Sequence, residues 1–142
     1  MSPGTQRFAA RRQIIAFSLD VVGIVVFAAI GRRSHDETDG LGSVLSTAAP
    51  FLLGLLLCWG LIGSGASNLL ARRRPQLHDG ASPDAGIVIW IVTVVVGLLA
   101  RRLLWERSTA FAFVLVATLV LGALLAGRRL GLRWFEKRQN RS

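Results

Sequence analysis

Residues 16–37 read "AFSLDVVGIVVFAAIGRRSHDE", and the fold turns on this stretch. Its apolar part, from about Ile14 to Ile30, approaches the roughly 20 residues that a helix needs to cross a bilayer. It carries one carboxylate, Asp20, and ends in an arginine pair and a polar cluster. Three more apolar blocks follow: "PFLLGLLLCWGLIGSGASNLL" at 50–70, "AGIVIWIVTVVVGLLA" at 85–100 and "AFAFVLVATLVLGALLA" at 110–126. The third is rich in β-branched residues, but an isolated strand in lipid leaves its backbone polar groups unpaired, so a helix is expected there too. The pattern predicts an all-α polytopic membrane protein, a compact bundle of four transmembrane helices. The helices are expected over about 14–31, 47–70, 85–104 and 109–127, between a basic segment at 1–12 and a basic tail at 128–142.

The apolar residues form 52% of the 142-residue chain, and they are gathered into blocks rather than spread at the spacing of a soluble amphipathic helix. The net charge of +9 resides in arginines at the block ends, where anionic lipid headgroups lie, and no basic face interleaved with aromatics offers nucleic-acid bases a stacking platform. The expected surroundings are therefore the lipid bilayer and its headgroups, with no nucleic acid. Twelve basic residues fall in the N-terminal segment, the 71–86 loop and the tail, against five in the other two loops. Arginine is poorly translocated, so both termini are expected on the cytoplasmic side of a bacterial inner membrane. The first block is long for a signal-peptide core and lacks small residues at a convincing cleavage point. A single cysteine, Cys58, excludes an intrachain disulfide or a cysteine metal cluster.

Asp20 is the costliest residue in the chain, because a carboxylate near mid-membrane is unfavourable by roughly 2.5–3.5 kcal/mol on insertion scales. It is expected to face the bundle interior and either find a donor or remain protonated. At ~1.5 Å per residue it lies about 9 Å inside the first helix. At similar depth stand Ser64, Ser67 and Asn68 on the second helix and Trp90 and Thr93 on the third, the expected partners. Asp20 and His35 are about 22 Å apart along a helix, too far to share one compact site unless the chain folds back. The mixed-charge loop "GRRSHDETDG" (31–40) is read as solvated, with no metal, since adjacent side chains cannot all converge on one ion. In "STAAPF" (46–51), Ser46 or Thr47 suits a helix cap with Pro50 in the first turn; a helix starting near Leu41 would instead hold Pro50 as a kink. Small-residue pairs, Gly60 with Ser64 and Gly63 with Ser67 on the second helix, and Gly122 with Ala126 and Ala123 with Gly127 on the fourth, suit close helix packing within the chain, with a homodimer partner or with another membrane protein.

The order Asp20, Phe27, "IGRRSH" (30–35) and "TAAPF" (47–51), with the apolar blocks that follow, resembles the bacterial domain of unknown function 3054 family from Ile14 to about Ala126. That resemblance implies a small bacterial integral membrane protein of unknown activity. It marks Asp20, Gly31, Arg32, His35, Thr47, Pro50 and Phe51 as the positions most like the family pattern. For a membrane enzyme acting on lipid, His35 with Arg32 is the one candidate pair, and no serine or cysteine sits in a recognisable nucleophile setting, so no catalytic residue is assigned and no cofactor is expected. Two working roles stand beside that reading: a small transporter or channel-like protein with Asp20 in its path, and a non-catalytic membrane subunit or assembly partner.

Overall fold

The structure, a computed structural model, describes residues 3–33, 41–64, 79–104 and 111–139. All its described elements are helical: α1 (Pro3–Arg33), α2 (Leu41–Gly63), α3 (Pro83–Leu104), α4 (Phe111–Leu121), a π-helical turn (Gly122–Gly127) and α5 (Arg128–Gln139). The last three run on without a break, so four helices are long and apolar enough to cross a membrane, the fourth over Phe111–Trp134. The protein is a multi-pass, all-α membrane protein. Ser67, Asn68 and His35, with the arginine-rich part of the 71–86 loop, lie outside the described residues.

Each helix packs beside its chain neighbours, α2 and α3 most extensively, and the fourth returns to α1 and closes a square. At one end Asp20 of α1, Trp59 late in α2, Gly80 just before α3 and Arg129 of α5 meet. At the other, Phe27 late in α1 meets Phe51 of α2 and Phe113 of α4. The helices therefore alternate up and down, and the start of α1 and α5 share the first of these ends. The interior is filled by Ile24, Phe51, Leu55, Ile89, Leu121 and Leu125. Val22, Val26, Leu57, Val95 and Leu119 lie exposed on the outside, as required of side chains whose solvent is lipid.

Two boundaries differ from the sequence expectation. α2 begins at Leu41 rather than near Thr47, and Pro50 lies inside it, fully buried. The proline removes the amide that would bond the carbonyl of Ser46. Ser46 and Thr47 do not cap the helix; both hydroxyls bond back to the carbonyl of Ser43, at 2.9 and 3.1 Å. The helix tolerates the proline because a lipid-embedded segment has no better way to satisfy its remaining backbone. The second difference is that the expected boundary at Gly127 is a wide turn within one long helix, where the Arg128 amide bonds the Ala123 carbonyl five residues back.

That turn, "GALLAG", opens where two glycines lower the helical preference. Trp90 secures it: its ring covers Gly122, where a Cβ would lie 3.0–3.1 Å from the indole, and its Nε1 donates to the Thr118 carbonyl at 2.9 Å. One extra residue per turn rotates all that follows by about 100°. The buried stripe of Ala117 and Leu121 thus continues through Leu125 and Ala126 to Arg129. Close packing on α2 uses Gly54, where a Cβ would meet the Thr93 carbonyl at 3.0 Å, rather than Gly60 and Gly63, which have nothing within 4 Å.

Candidate functional site

Asp20 is completely buried and meets a guanidinium that is itself 1% exposed. Arg129 engages it in a fork, Nη1 to Oδ1 at 2.8 Å and Nη2 to Oδ2 at 2.7 Å. The planar guanidinium matches a carboxylate in this geometry as an ammonium cannot. Arg128 Nη2 adds a bond to Oδ1 at 3.1 Å, and Trp59 Nε1 adds one to Oδ2 at 3.1 Å. Each oxygen thus accepts two bonds, and two oxygens offer about four acceptor positions.

Arg129 is equally saturated. Besides its two bonds to Asp20, Nε and Nη2 donate to the Gly80 carbonyl at 3.2 and 2.9 Å, and Nη1 donates to the Leu125 carbonyl. Those five bonds use all five donors that an arginine possesses. The cluster joins α1, α2, the turn before α3, and α5. It is a clasp across the square.

Local sequence shapes each part. Gly86 on the first turns of α3 leaves space for the arginine stem: a Cβ there would stand 2.5 Å from Arg129 Cδ. Gly80 brings its carbonyl to Arg129 because a Cβ there would strike Trp59 at 2.5 Å. The Phe17 ring holds the indole edge to face, with centroids 5.5 Å apart and planes at 76°. Ser82 caps α3, accepting from the Ala85 amide at 3.1 Å, and Asp79 accepts from the Ala81 amide at 3.0 Å. These short polar bonds fix the turn that carries Gly80.

The described partners expected for Asp20 are elsewhere. Ser64 is exposed past the end of α2 and bonds the Leu61 carbonyl at 3.3 Å. Trp90 serves the turn in the fourth helix, and the buried Thr93 hydroxyl makes no hydrogen bond among the described residues. The cause is register. Because α2 starts at Leu41, Trp59 rather than Ser64 reaches the depth of Asp20. The sequence places the arginines beyond Gly127 at the headgroups, and the continuous helix instead carries Arg129 inside. A usable signal existed: the only acid within the four blocks and the first bases after the last block belong to the same end of the bundle.

The other marked positions do not join this site. Thr47, Pro50 and Phe51 are buried toward the opposite end. Gly31 and Arg32 belong to the last turn of α1, with nothing within 4 Å of a Cβ at Gly31. There Phe27 and Phe51 pack edge to face at 5.6 Å, Phe113 lies 6.2 Å from each, and Arg101 stacks over Phe113 at 4.3 Å. Among the described residues no three His, Cys, Asp or Glu side chains converge on a point that could hold a metal.

No curated protein and no solved structure matches the chain. The family described as "Protein of unknown function (DUF3054)" matches residues 17–132, which include every member of the clasp, and the chain belongs to that family.

Proposed function

We propose that this is a non-catalytic membrane subunit of a bacterial inner membrane, with both termini cytoplasmic, that works by binding at its basic end rather than by conducting through its bundle. The observation that carries the reading is the saturation of Asp20. A carboxylate in a transport path must release its partners to take up a proton or cation, and all four acceptor positions here are held by groups from two other helices. The orientation is supported by the excess of basic residues on one side and by the meeting of both terminal helices at that end. Headgroup contact is supported by Arg133, Trp134 and Arg138 on α5, where Arg138 stacks on Trp134 at 3.7 Å. The open Gly60 and Gly63 on α2 leave a close-approach surface for a second copy or another membrane protein.

The test is Asp20→Asn, purified in mild detergent and reconstituted in proteoliposomes. The expected outcome is loss of folded, monodisperse protein. A variant that stays folded while a proton or cation flux of the wild type disappears would overturn this reading in favour of a path through Asp20.

A further inference from the structure

Beside the clasp, on the same end, Arg128 and Arg129 of α5 reach across to α1. Between the two helices opens a cleft of about 550 Å³, within the range of small-ligand sites. Its polar wall holds Arg12, Arg128, Arg129 and Arg133. These four guanidinium groups meet two carboxylates: Asp20, which Arg129 and Arg128 share, and Asp79, which pairs with Arg12. Among the described residues, four against two leaves two positive charges without a carboxylate partner at one cavity.

Donors remain open there. Arg133 makes no ion pair among the described residues. Arg128 uses Nη2 on Asp20 and on the Ala16 carbonyl, and its Nη1 makes no hydrogen bond among the described residues. Arg12 is tied only to the surface carboxylate Asp79, and its side chain is 64% exposed. Guanidinium donors in this disposition suit the oxygens of a phosphate, which they bind through paired, charge-assisted bonds.

The apolar part of the lining lies on the same two helices as the arginines. Ile15, Leu19 and Leu132 line the cleft and are each about half exposed. Ile15 and Leu19 continue along α1 into Val22 and Val26, all open to the outside of the bundle. The cleft therefore has a cationic head and a greasy track leading toward the hydrocarbon core. A soluble phosphate would use the head alone; a lipid would use both.

We propose that this cleft is a discrete binding site for one anionic phospholipid, its phosphate held by Arg12, Arg128 and Arg133 and an acyl chain lying along Ile15, Leu19 and Val22. The site deepens the headgroup contact proposed for the basic end and rests on that end reaching the bilayer surface. It differs from diffuse attraction in stoichiometry and in depending on named arginines.

The test uses the full chain in zwitterionic detergent, with bound lipid counted by native mass spectrometry. The probes are short-chain phosphatidylglycerol, phosphatidylcholine with the same chains, and inorganic phosphate. One phosphatidylglycerol is expected per chain, held about tenfold or more tightly than phosphatidylcholine. Arg12→Gln and Arg133→Gln lie outside the clasp and should stay folded; each should weaken retention about fivefold. Asp79→Asn should move it the other way, because the amide oxygen can still accept from Ala81 while Arg12 is released to the ligand. Equal retention of both lipids, or wild-type retention in the Arg12→Gln/Arg133→Gln double variant, overturns the site. Inorganic phosphate bound as tightly as the lipid, with the same arginine dependence, overturns the lipid assignment. Failure of either kind leaves the flux result for Asp20→Asn unaffected, so the two readings fail separately.

Discussion

The two ends of the bundle are fastened in different ways. At the clasp end, Asp20 and Arg129 take part in seven bonds of fixed direction, five donated by Arg129 and two further ones accepted by Asp20, while Ser82 and Asp79 each accept one more in the adjoining turn. At the aromatic end, Phe27, Phe51 and Phe113 meet in tilted and edge-on contacts, and Gly97 of α3 leaves room for the Phe51 ring. Lipid removes most of the hydrophobic drive between helices, so the aromatic end is held chiefly by shape and dispersion, with the Arg101 cation over Phe113 beside them. Bonds of fixed direction tolerate few changes of chemistry, whereas dispersion tolerates any side chain of the right volume. The comparison teaches that one bundle combines a chemically strict end with a geometrically strict one.

The largest effect should come from opening the clasp. Removing one partner of a buried ion pair leaves the other uncompensated and costs about 3–5 kcal/mol. Arg129→Gln should show that loss in denaturant or thermal unfolding of the detergent-solubilised protein. The paired replacement Asp20→Leu with Arg129→Met should recover part of it, because an apolar pair escapes the desolvation penalty while the Gly80 carbonyl and the Trp59 Nε1 lose their partners. If the single variant unfolds like the wild type, the clasp is not what closes the square.

A smaller pair of changes sharpens the contrast. Trp59→Phe keeps an aromatic ring against Phe17 but deletes the donor to Asp20, a bond to a charged group worth about 1.5–3 kcal/mol. Phe113→Leu at the other end trims a half-buried ring and gives up the Arg101 contact, and should cost about 1 kcal/mol. Unfolding measured on both variants under one condition should rank Trp59→Phe as the more damaging. The reverse order would make the aromatic end the stricter of the two.

Much of this arrangement was legible in the residues, and the rest was hidden for definite reasons. The four apolar blocks are set by bilayer thickness, which acts on each helix separately and so leaves a mark in local composition. That Asp20 must face inward follows from its cost in lipid, again a single-residue argument. Its partners depend on the relative depth of helices, and a proline read as a first-turn residue shifts α2 by enough to exchange Trp59 for Ser64. Arg129 was hidden by the wide turn at Gly122–Gly127. Two glycines and an apolar quartet read as the end of a span, and only the packed Trp90 shows that the helix continues in a new register.

The smallest effect is expected at Arg12, and it separates fastening from binding. Arg12 and Asp79 form an ion pair with side chains 64% and 40% exposed, and such surface pairs contribute about 0–1 kcal/mol. Arg12→Gln should therefore leave unfolding nearly unchanged, and raising salt should erase what difference there is, since exposed charges are screened over about 10 Å at 0.1 M. The buried bond between Asp20 and Arg129 should not respond to salt in the same way, because neither partner meets the solvent in which the ions move. A loss above about 2 kcal/mol in Arg12→Gln would put the basic rim among the bonds that close the fold. With stability unchanged, any fall in phosphatidylglycerol retention in the same variant belongs to the cleft and not to the bundle around it.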